Sequence, residues 1–245
     1  MSSVIPSQPL TWFTASLSEK TQLNDRFLHV HFELVEPSVL TFRAGQYIIL
    51  EIPGSEKKNS YSISSSPDLN HAIELLIDLS PSGKGTQYLQ SLRIGEKIRF
   101  LAPAGHFVVD PEQTVQEQSM QYIATGSGIA PIKSMIVDQL RFQQDERPIT
   151  LYWGMRYESE LFWLDKFQNL QKQFPNFHLH LVLSQAQDGW TLCRGRVTDC
   201  LSFHELDIAG GFYLCGNGTM IKDVKALLLE KKVEISHIHH EAFYS

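Results

Sequence analysis

The spacing of apolar positions changes character about halfway along the chain. Over residues 27–34 (Phe-Leu-His-Val-His-Phe-Glu-Leu) apolar and polar side chains alternate, the period of a half-buried strand. Residues 46–52 form a β-branched run closed by the turn pair Pro53-Gly54, and 72–79 and 97–101 read as two more strands. Short strands broken by Gly, Pro and Ser predict an antiparallel barrel or sandwich. Further on, strands alternate with helices. Strands are predicted over 121–124, 149–153, 177–183 and 211–215. Helices are predicted over 131–143, 159–174 and 219–231, where Ile132, Met135, Ile136 and Leu140, for example, recur on one face. This alternation means βαβ units around a parallel sheet. The polar segment 111–119 reads as the linker. The expected architecture is a β-barrel domain over residues 1–115 and an α/β parallel-sheet nucleotide-binding domain over 116–245. Ligands of such folds sit beyond the carboxyl ends of the parallel strands or between domains.

Composition narrows the partners. Twenty-one Lys and Arg stand against 27 Asp and Glu, a net charge of −6, which disfavours a general nucleic-acid binder. The three cysteines, Cys193, Cys200 and Cys215, form no C-x-x-C pair, and their odd number argues against a secreted disulfide framework. They are also too few for a four-cysteine iron–sulfur cluster. Residues 1–18 carry no charge but lack the basic and apolar regions of a signal peptide. The charge-free stretches 118–132 and 173–187 have 15 residues each, too few and too polar to cross a bilayer. The expectation is a cytoplasmic protein that is not integral to a membrane.

Four segments carry candidate chemistry. Ala124-Thr125-Gly126-Ser127-Gly128-Ile129-Ala130-Pro131 follows a strand and opens a helix, where free N–H groups attract a pyrophosphate. Pro131 stands where a third glycine of G-x-G-x-x-G would be, and Thr125 and Ile129 exclude a G-x-S-x-G nucleophile elbow. Cys215 ends a buried strand before Gly216-Asn217-Gly218-Thr219-Met220; it reads either as a small core residue or as a thiol at the mouth of a groove. Asn59-Ser60-Tyr61-Ser62-Ile63 could stack and rim a flat heterocycle, or be an exposed Ser-rich strand. Pro81-Ser82-Gly83-Lys84-Gly85-Thr86 is a loop before a short helix and a possible phosphate seat. His237, His239 and His240 lack matching Cys or carboxylate spacing and read as a surface strand rather than a metal site.

In this order the segments resemble the ferredoxin–NADP reductase superfamily, in particular its compact flavin-reductase and oxygenase-reductase modules, over nearly the whole chain. Ala44-Gly45-Gln46-Tyr47 looks like the family's G-Q-Y strand, Tyr61-Ser62 its R-x-Y-S motif, and Gly83 to Thr86 its G-x-x-S/T loop. Pro103-Ala104-Gly105-His106-Phe107 resembles P-x-G-x-F, and Gly126 to Pro131 resembles G-x-G-x-x-P. Cys215-Gly216 to Met220 resembles C-G-x-x-x-M, and Glu241-Ala242-Phe243 the terminal E-x-aromatic.

The resemblance implies a Greek-key barrel that binds FAD or FMN and an α/β domain that binds NADPH or NADH. It implies that Tyr61 stacks on the flavin with Asn59 and Ile63 beside it, that Ser62 lies near flavin N5, and that Lys84, Gly85 and Thr86 take phosphates. Thr125, Gly126, Gly128 and Pro131 would hold the coenzyme pyrophosphate. Cys215, Gly216 and Met220 would sit by the nicotinamide, with Glu241 and Phe243 at the flavin edge. Ser62, Cys215 and Glu241 are the catalytic candidates. Electrons would pass from NAD(P)H through the flavin to a separate ferredoxin, flavodoxin, oxygenase component or free flavin. One position departs from the pattern: Asn59 replaces the arginine that clamps a flavin phosphate, with Lys58 one residue away. Coenzyme choice is open, with Arg156, Arg194 and Arg196 as candidates for a 2′-phosphate and Gln185 where NADP-specific relatives often carry arginine. The rival readings are a non-catalytic regulatory subunit of the same fold and a plain Rossmann dehydrogenase; the β-rich first half argues against the latter.

Overall fold

The computed structural model describes residues 9–244 apart from Pro81 and Gln113. The first eight residues of the charge-free N-terminal stretch, Pro81 of the candidate phosphate loop and Gln113 of the linker therefore lie outside the described residues.

The first half forms one antiparallel six-stranded sheet in the order β4-β3-β6-β1-β2-β5. Its strands are β1 (Thr11–Gln22), β2 (Phe27–Glu36), β3 (Tyr47–Leu50), β4 (Asn59–Ser62), β5 (Ala72–Asp78) and β6 (Lys97–Ala104). The two edges approach where Ile63 bridges Leu75 and Ser64 N–H donates to Glu74 O, so the sheet is a nearly closed barrel. Alternation places Phe13, Ala15 and Leu17 of β1 against Leu28, Val30 and Phe32 of β2 in its interior. Helix α1 (Lys84–Ser91) packs Leu89 into that core.

The second half is a parallel six-stranded sheet in the order β10-β9-β8-β7-β11-β12. It comprises β7 (Met120–Thr125), β8 (Ile149–Met155), β9 (Phe177–Leu183), β10 (Cys193–Arg194), β11 (Gly211–Asn217) and β12 (Ile238–Tyr244). Helices α2 (Ile129–Val137), α3 (Leu164–Gln173), α4 (Val197–Phe203) and α5 (Gly218–Glu230) connect and cover it. The central strand β7 is buried at five of its six positions, as expected of a parallel strand covered on both faces. Helix α3 begins five residues later than the periodicity of 159–174 predicts. Residues 158–160 form a separate 3-10 turn, and Trp163 takes a left-handed conformation (φ 53°) that interrupts the helix.

The segment 111–119 is polar but not loosely attached. Thr114 and Glu117 are buried, Glu117 accepts from Tyr213 Oη at 3.1 Å, and His239 Nε2 lies 2.9 Å from its other oxygen. His239 also stacks on Tyr213, so this member of the C-terminal histidine group is tied to the linker.

The halves share a core and an ionic clamp. Phe27, Ala44, Leu76 and Phe107 of the first half pack into one apolar cluster with Ile129, Ile132 and Met135 of the second. Lys133 on α2 donates to Glu74 at 2.8 Å and to Ser64 O at 2.9 Å, and Ser134 Oγ donates to Ser65 O at 2.6 Å. Burial pushes the Glu74 carboxyl upward, but its contacts with His29 and Lys133 outweigh this and hold it well below the usual range.

Candidate functional site

A cavity of about 420 Å³ opens between the halves. That is within the size range of small-molecule and cofactor sites. Strand β4 forms one wall with Asn59, Tyr61 and Ser62; Gly83, just before α1, and Thr86 in its first turn contribute another; and β12 contributes Glu241 and Phe243. Ser127 and Ala130, from the turn after β7 and the start of α2, reach the same space.

Local sequence explains how these groups converge. Asn59 and Tyr61 are two apart on a strand and point to one side, while Ser62 points to the other and is buried. Gly85 lets α1 press against this strand: a Cβ there would stand 2.6 Å from Tyr61 Oη and 2.9 Å from Asn59 Cγ. At the far wall, Gly128 lies against the carbonyl of Cys215, with no room for a Cβ. That contact seats the start of α2 on the end of β11. Gly216, Thr125 and Met220 close the same corner, with Met220 Cε 3.1 Å from where a Gly216 Cβ would be.

Cys215 and Glu241 are register partners on adjacent parallel strands. Cys215 is fully buried; burial, reinforced by Glu241, pushes its thiol up, so it stays protonated. Burial pushes the Glu241 carboxyl up to about 7, opposed by a hydrogen bond from Ser62. The other oxygen, Oε2, is buried without a hydrogen-bond partner among the described residues, as is Thr125 Oγ1. Buried polar atoms left open beside a cavity fit a site that takes a polar ligand.

Other expected residues fall elsewhere. Ile63 is fully buried in the barrel core, and its side chain does not line the cavity. It lies just past the end of β4, where its bridge to Leu75 across the closing edge carries it into the barrel core. Lys84 is exposed at the start of α1, and Pro131 is buried within the first turn of α2. Arg156 is exposed, and its backbone is tied to Glu160 and Gln185. It does not line the second cavity, of about 300 Å³, which lies past the ends of β8 and β9. That cavity is lined by Tyr157, Ser184, Gln185 and Arg194. Arg196 is exposed beside Asp223 at 3.8 Å.

Two features were not legible beforehand. Asp78 lines the main cavity and pairs with Arg26 at 2.7 Å; Arg26 Nη2 reaches to 3.5 Å from where a Cβ of Gly126 would be. Arg26 and Asp78 are 52 residues apart and share no motif. The second is a disulfide contact between Cys193 and Cys200, a single bridge that the odd cysteine count did not suggest.

The residues fit a bound flavin in their aromatic wall, their open polar atoms and their helix N-terminus. The fit is weaker in positive charge. Asn59 supplies none, Lys58 lines the cavity with its ammonium over the Trp12 ring, and Asp78 adds a carboxylate neutralised by Arg26.

Comparison with known proteins agrees with this geometry. An oxidoreductase FAD-binding domain model matches residues 14–109, and an oxidoreductase NAD-binding domain model matches residues 122–226. The chain is 31% identical over 242 residues to the reductase component DmpP of phenol 2-monooxygenase from Pseudomonas sp. strain CF600, covering 97% of this chain and 67% of that protein. It is 28% identical to ferredoxin–NADP reductase B of Sorangium cellulosum, covering 94% of this chain and 97% of that one. Its structure superposes on the Amycolatopsis cytochrome P450 reductase GcoB with a TM-score of 0.89 and 26% identity, over 98% of this chain and 72% of that one. The chain thus spans about two thirds of the length of the oxygenase reductase component it matches. No helix among the described residues is long and apolar enough to cross a membrane. With both domain models, this level of identity and the barrel-plus-parallel-sheet architecture in agreement, the chain belongs to the ferredoxin–NADP reductase family of FAD- and NAD(P)H-dependent oxidoreductases.

Proposed function

We propose that the reacting centre is the floor of the cavity between the halves, with Ser62, Cys215 and Glu241 as its catalytic groups and a separate oxygenase component or ferredoxin as acceptor. The observation that carries this reading is that β4, β11 and β12 bring these three residues together beside the glycine turn of residues 126–128. The acceptor rests on the relatives, which are named as a monooxygenase reductase component and a ferredoxin–NADP reductase. The functional halves are residues 1–115 and 116–245.

When bound, FAD supplies a hydride acceptor that can pass electrons on singly or in pairs. The chain's own residues provide the rest. Tyr61 offers a ring face and Asn59 an amide. The N–H groups from Lys84 to Thr86, the Thr86 hydroxyl and Lys58 receive phosphate oxygens at the start of α1. Thr125, Gly126 and Gly128 receive the coenzyme pyrophosphate at the start of α2. The cavity past β8 and β9 takes the adenosine end, beyond the carboxyl ends of the strands. There Arg194, with Arg156 nearby, is the cation within reach of a 2′-phosphate.

Cys215 is held as a neutral thiol and acts by packing and polarisability rather than as a nucleophile. Glu241 holds a proton on its carboxyl near neutral pH, and the Ser62 hydroxyl links that carboxyl to the cavity. Ser62 and Cys215 are buried and Glu241 is half-buried, which limits the access of water to the reacting atoms.

The test is the visible spectrum of the purified protein, followed anaerobically on adding NADH and, separately, NADPH. The expected result is a flavin band that bleaches, with the faster donor naming the coenzyme. A colourless protein that gives no turnover when FAD or FMN is supplied would sink this reading and favour a non-catalytic nucleotide-binding subunit.

A further inference from the structure

At the opposite edge of the parallel sheet, three side chains meet that the reacting centre does not use. Cys193 on β10 and Cys200 on α4 are in disulfide contact, with Cα atoms 5.8 Å apart, and His204 Nε2 lies 3.6 Å from the Cys193 sulfur. That Cα separation suits a disulfide without backbone movement. Cys200 is fully buried, whereas Cys193 is only partly buried and packs against the same apolar cluster, so Cys193 is the more accessible residue of the pair. The His204 ring packs against His180, with centroids 4.3 Å apart, and so is held beside the pair.

What the pair holds is the adenosine-end cavity. β10 is two residues long and joins the sheet only at its edge, opposite Val182 and Leu183. The residues that follow Cys193, Arg194 and Gly195, line that cavity. The Arg194 guanidinium is folded onto the carbonyls of Trp190 and Gln187, while Trp190 Nε1 donates to Cys193 O at 3.1 Å. A strand this short is weakly held by its ladder, and the covalent link to α4 is its strongest anchor.

We propose that Cys193 and Cys200 form a reversible dithiol–disulfide pair, oxidised by low-molecular-weight disulfides, that sets the position of Arg194 and hence the affinity for the coenzyme. The second half of this inference rests on the reading of that cavity as the coenzyme's adenosine end. In the forward direction His204 accepts the Cys193 thiol proton. The Cys193 sulfur attacks one sulfur of RSSR, forming a mixed disulfide and releasing RS⁻. The Cys200 sulfur then attacks the Cys193 sulfur, releasing the second RS⁻. The two protein thiol protons end on the two RSH, so two protein thiols plus RSSR give one protein disulfide plus two RSH. Cys215 takes no part because it is fully buried on β11.

The test prepares the full-length protein in two forms, reduced with dithiothreitol and oxidised with glutathione disulfide, each then freed of small thiols. Thiols counted in denaturant should be three in the first form and one in the second, Cys215 being the survivor. Brief trypsin digestion should cut after Arg194 and Arg196 faster in the reduced form. The KM for the coenzyme should rise about fivefold on reduction, a common size for coupling between sites, with kcat at saturation little changed. Cys193→Ser should behave as the reduced form and ignore glutathione disulfide. It replaces the less buried cysteine, so it tests the pair without cutting into the buried side of α4.

An unchanged thiol count, or equal trypsin and KM values in the two forms, would overturn the proposal. So would a reduced protein that holds one zinc ion through gel filtration and resists oxidation, since the three side chains would then be a metal site. Thiol count and trypsin rate need no coenzyme. If both shift while neither NADH nor NADPH is oxidised, it is the coenzyme reading that has failed.

Discussion

Cys215 on β11 and Glu241 on β12 stand directly opposite each other in the parallel ladder, a neutral thiol beside a carboxyl with one buried oxygen unpartnered among the described residues. Neither side chain would be set this way on an exposed strand. Burial pushes both groups toward their protonated forms, and each carries a consequence that can be measured.

Glu241 should couple stability to pH. Its folded pKa of about 7 lies above the usual carboxylate value, so the native state keeps a proton that the unfolded chain has lost. Its contribution is fully present below about pH 4.3 and is lost as pH rises through 7. Glu241→Gln should remove that dependence and stabilise the protein at pH 8 by on the order of 2 kcal/mol. It should also lower kcat by tenfold or more. Denaturant midpoints at pH 5 and pH 8, with turnover at both, check this; equal pH slopes in the two proteins would refute it.

Cys215→Ala should slow coenzyme oxidation with little change in coenzyme KM, at a stability cost of about 1 kcal/mol for a small buried side chain. In the native protein its thiol should stay unreactive toward alkylating reagents, because it is buried and protonated. Rapid alkylation without unfolding would contradict the structure.

Gly85→Ala places a methyl group against Tyr61 and Asn59. Helix α1 must retreat or Tyr61 must turn, and either spoils the aromatic wall. The expected result is flavin affinity about tenfold weaker with a small loss of thermal stability, since one displaced contact costs about 1–2 kcal/mol. Equilibrium dialysis and a melting curve separate the two effects.

Lys133→Ala leaves Glu74 charged and half-enclosed, and should cost about 3 kcal/mol. Adding Glu74→Gln should restore much of that, because the penalty comes from the stranded charge more than from the lost pair. A double-mutant cycle by urea unfolding reads the coupling. Additive losses would mean that the clamp between the halves does not depend on this pair.

The sequence was most legible where burial is regular. Leu28, Val30 and Phe32 alternate clearly with polar neighbours, and β9 is predicted to its ends because Phe177, Leu179 and Leu181 alternate with His178 and His180. Other elements escaped notice. β1 carries the same alternation at Phe13, Ala15 and Leu17, but it is diluted by Thr, Ser and the small Ala15. β10 is too short for any period, and α4, with seven residues, has too few apolar positions to show one. The helix expected from residue 159 begins only at Leu164, since apolar spacing does not register the backbone reversal at Trp163.

By itself the sequence determined the two-part architecture, the glycine turn after β7 and the identity of most groups around the cavity. These depend on local period and on short motifs, in which neighbours in sequence are neighbours in space. Tertiary structure alone decided the rest. It set the pairing of Arg26 with Asp78, the inward packing of Ile63, the anchoring of the linker by Glu117, and the contact of Cys193 and Cys200 beside His204. It also decided the protonation of Glu241 and Cys215. A side chain's burial and charged neighbours exist only once distant strands have been laid side by side, and no local pattern encodes them.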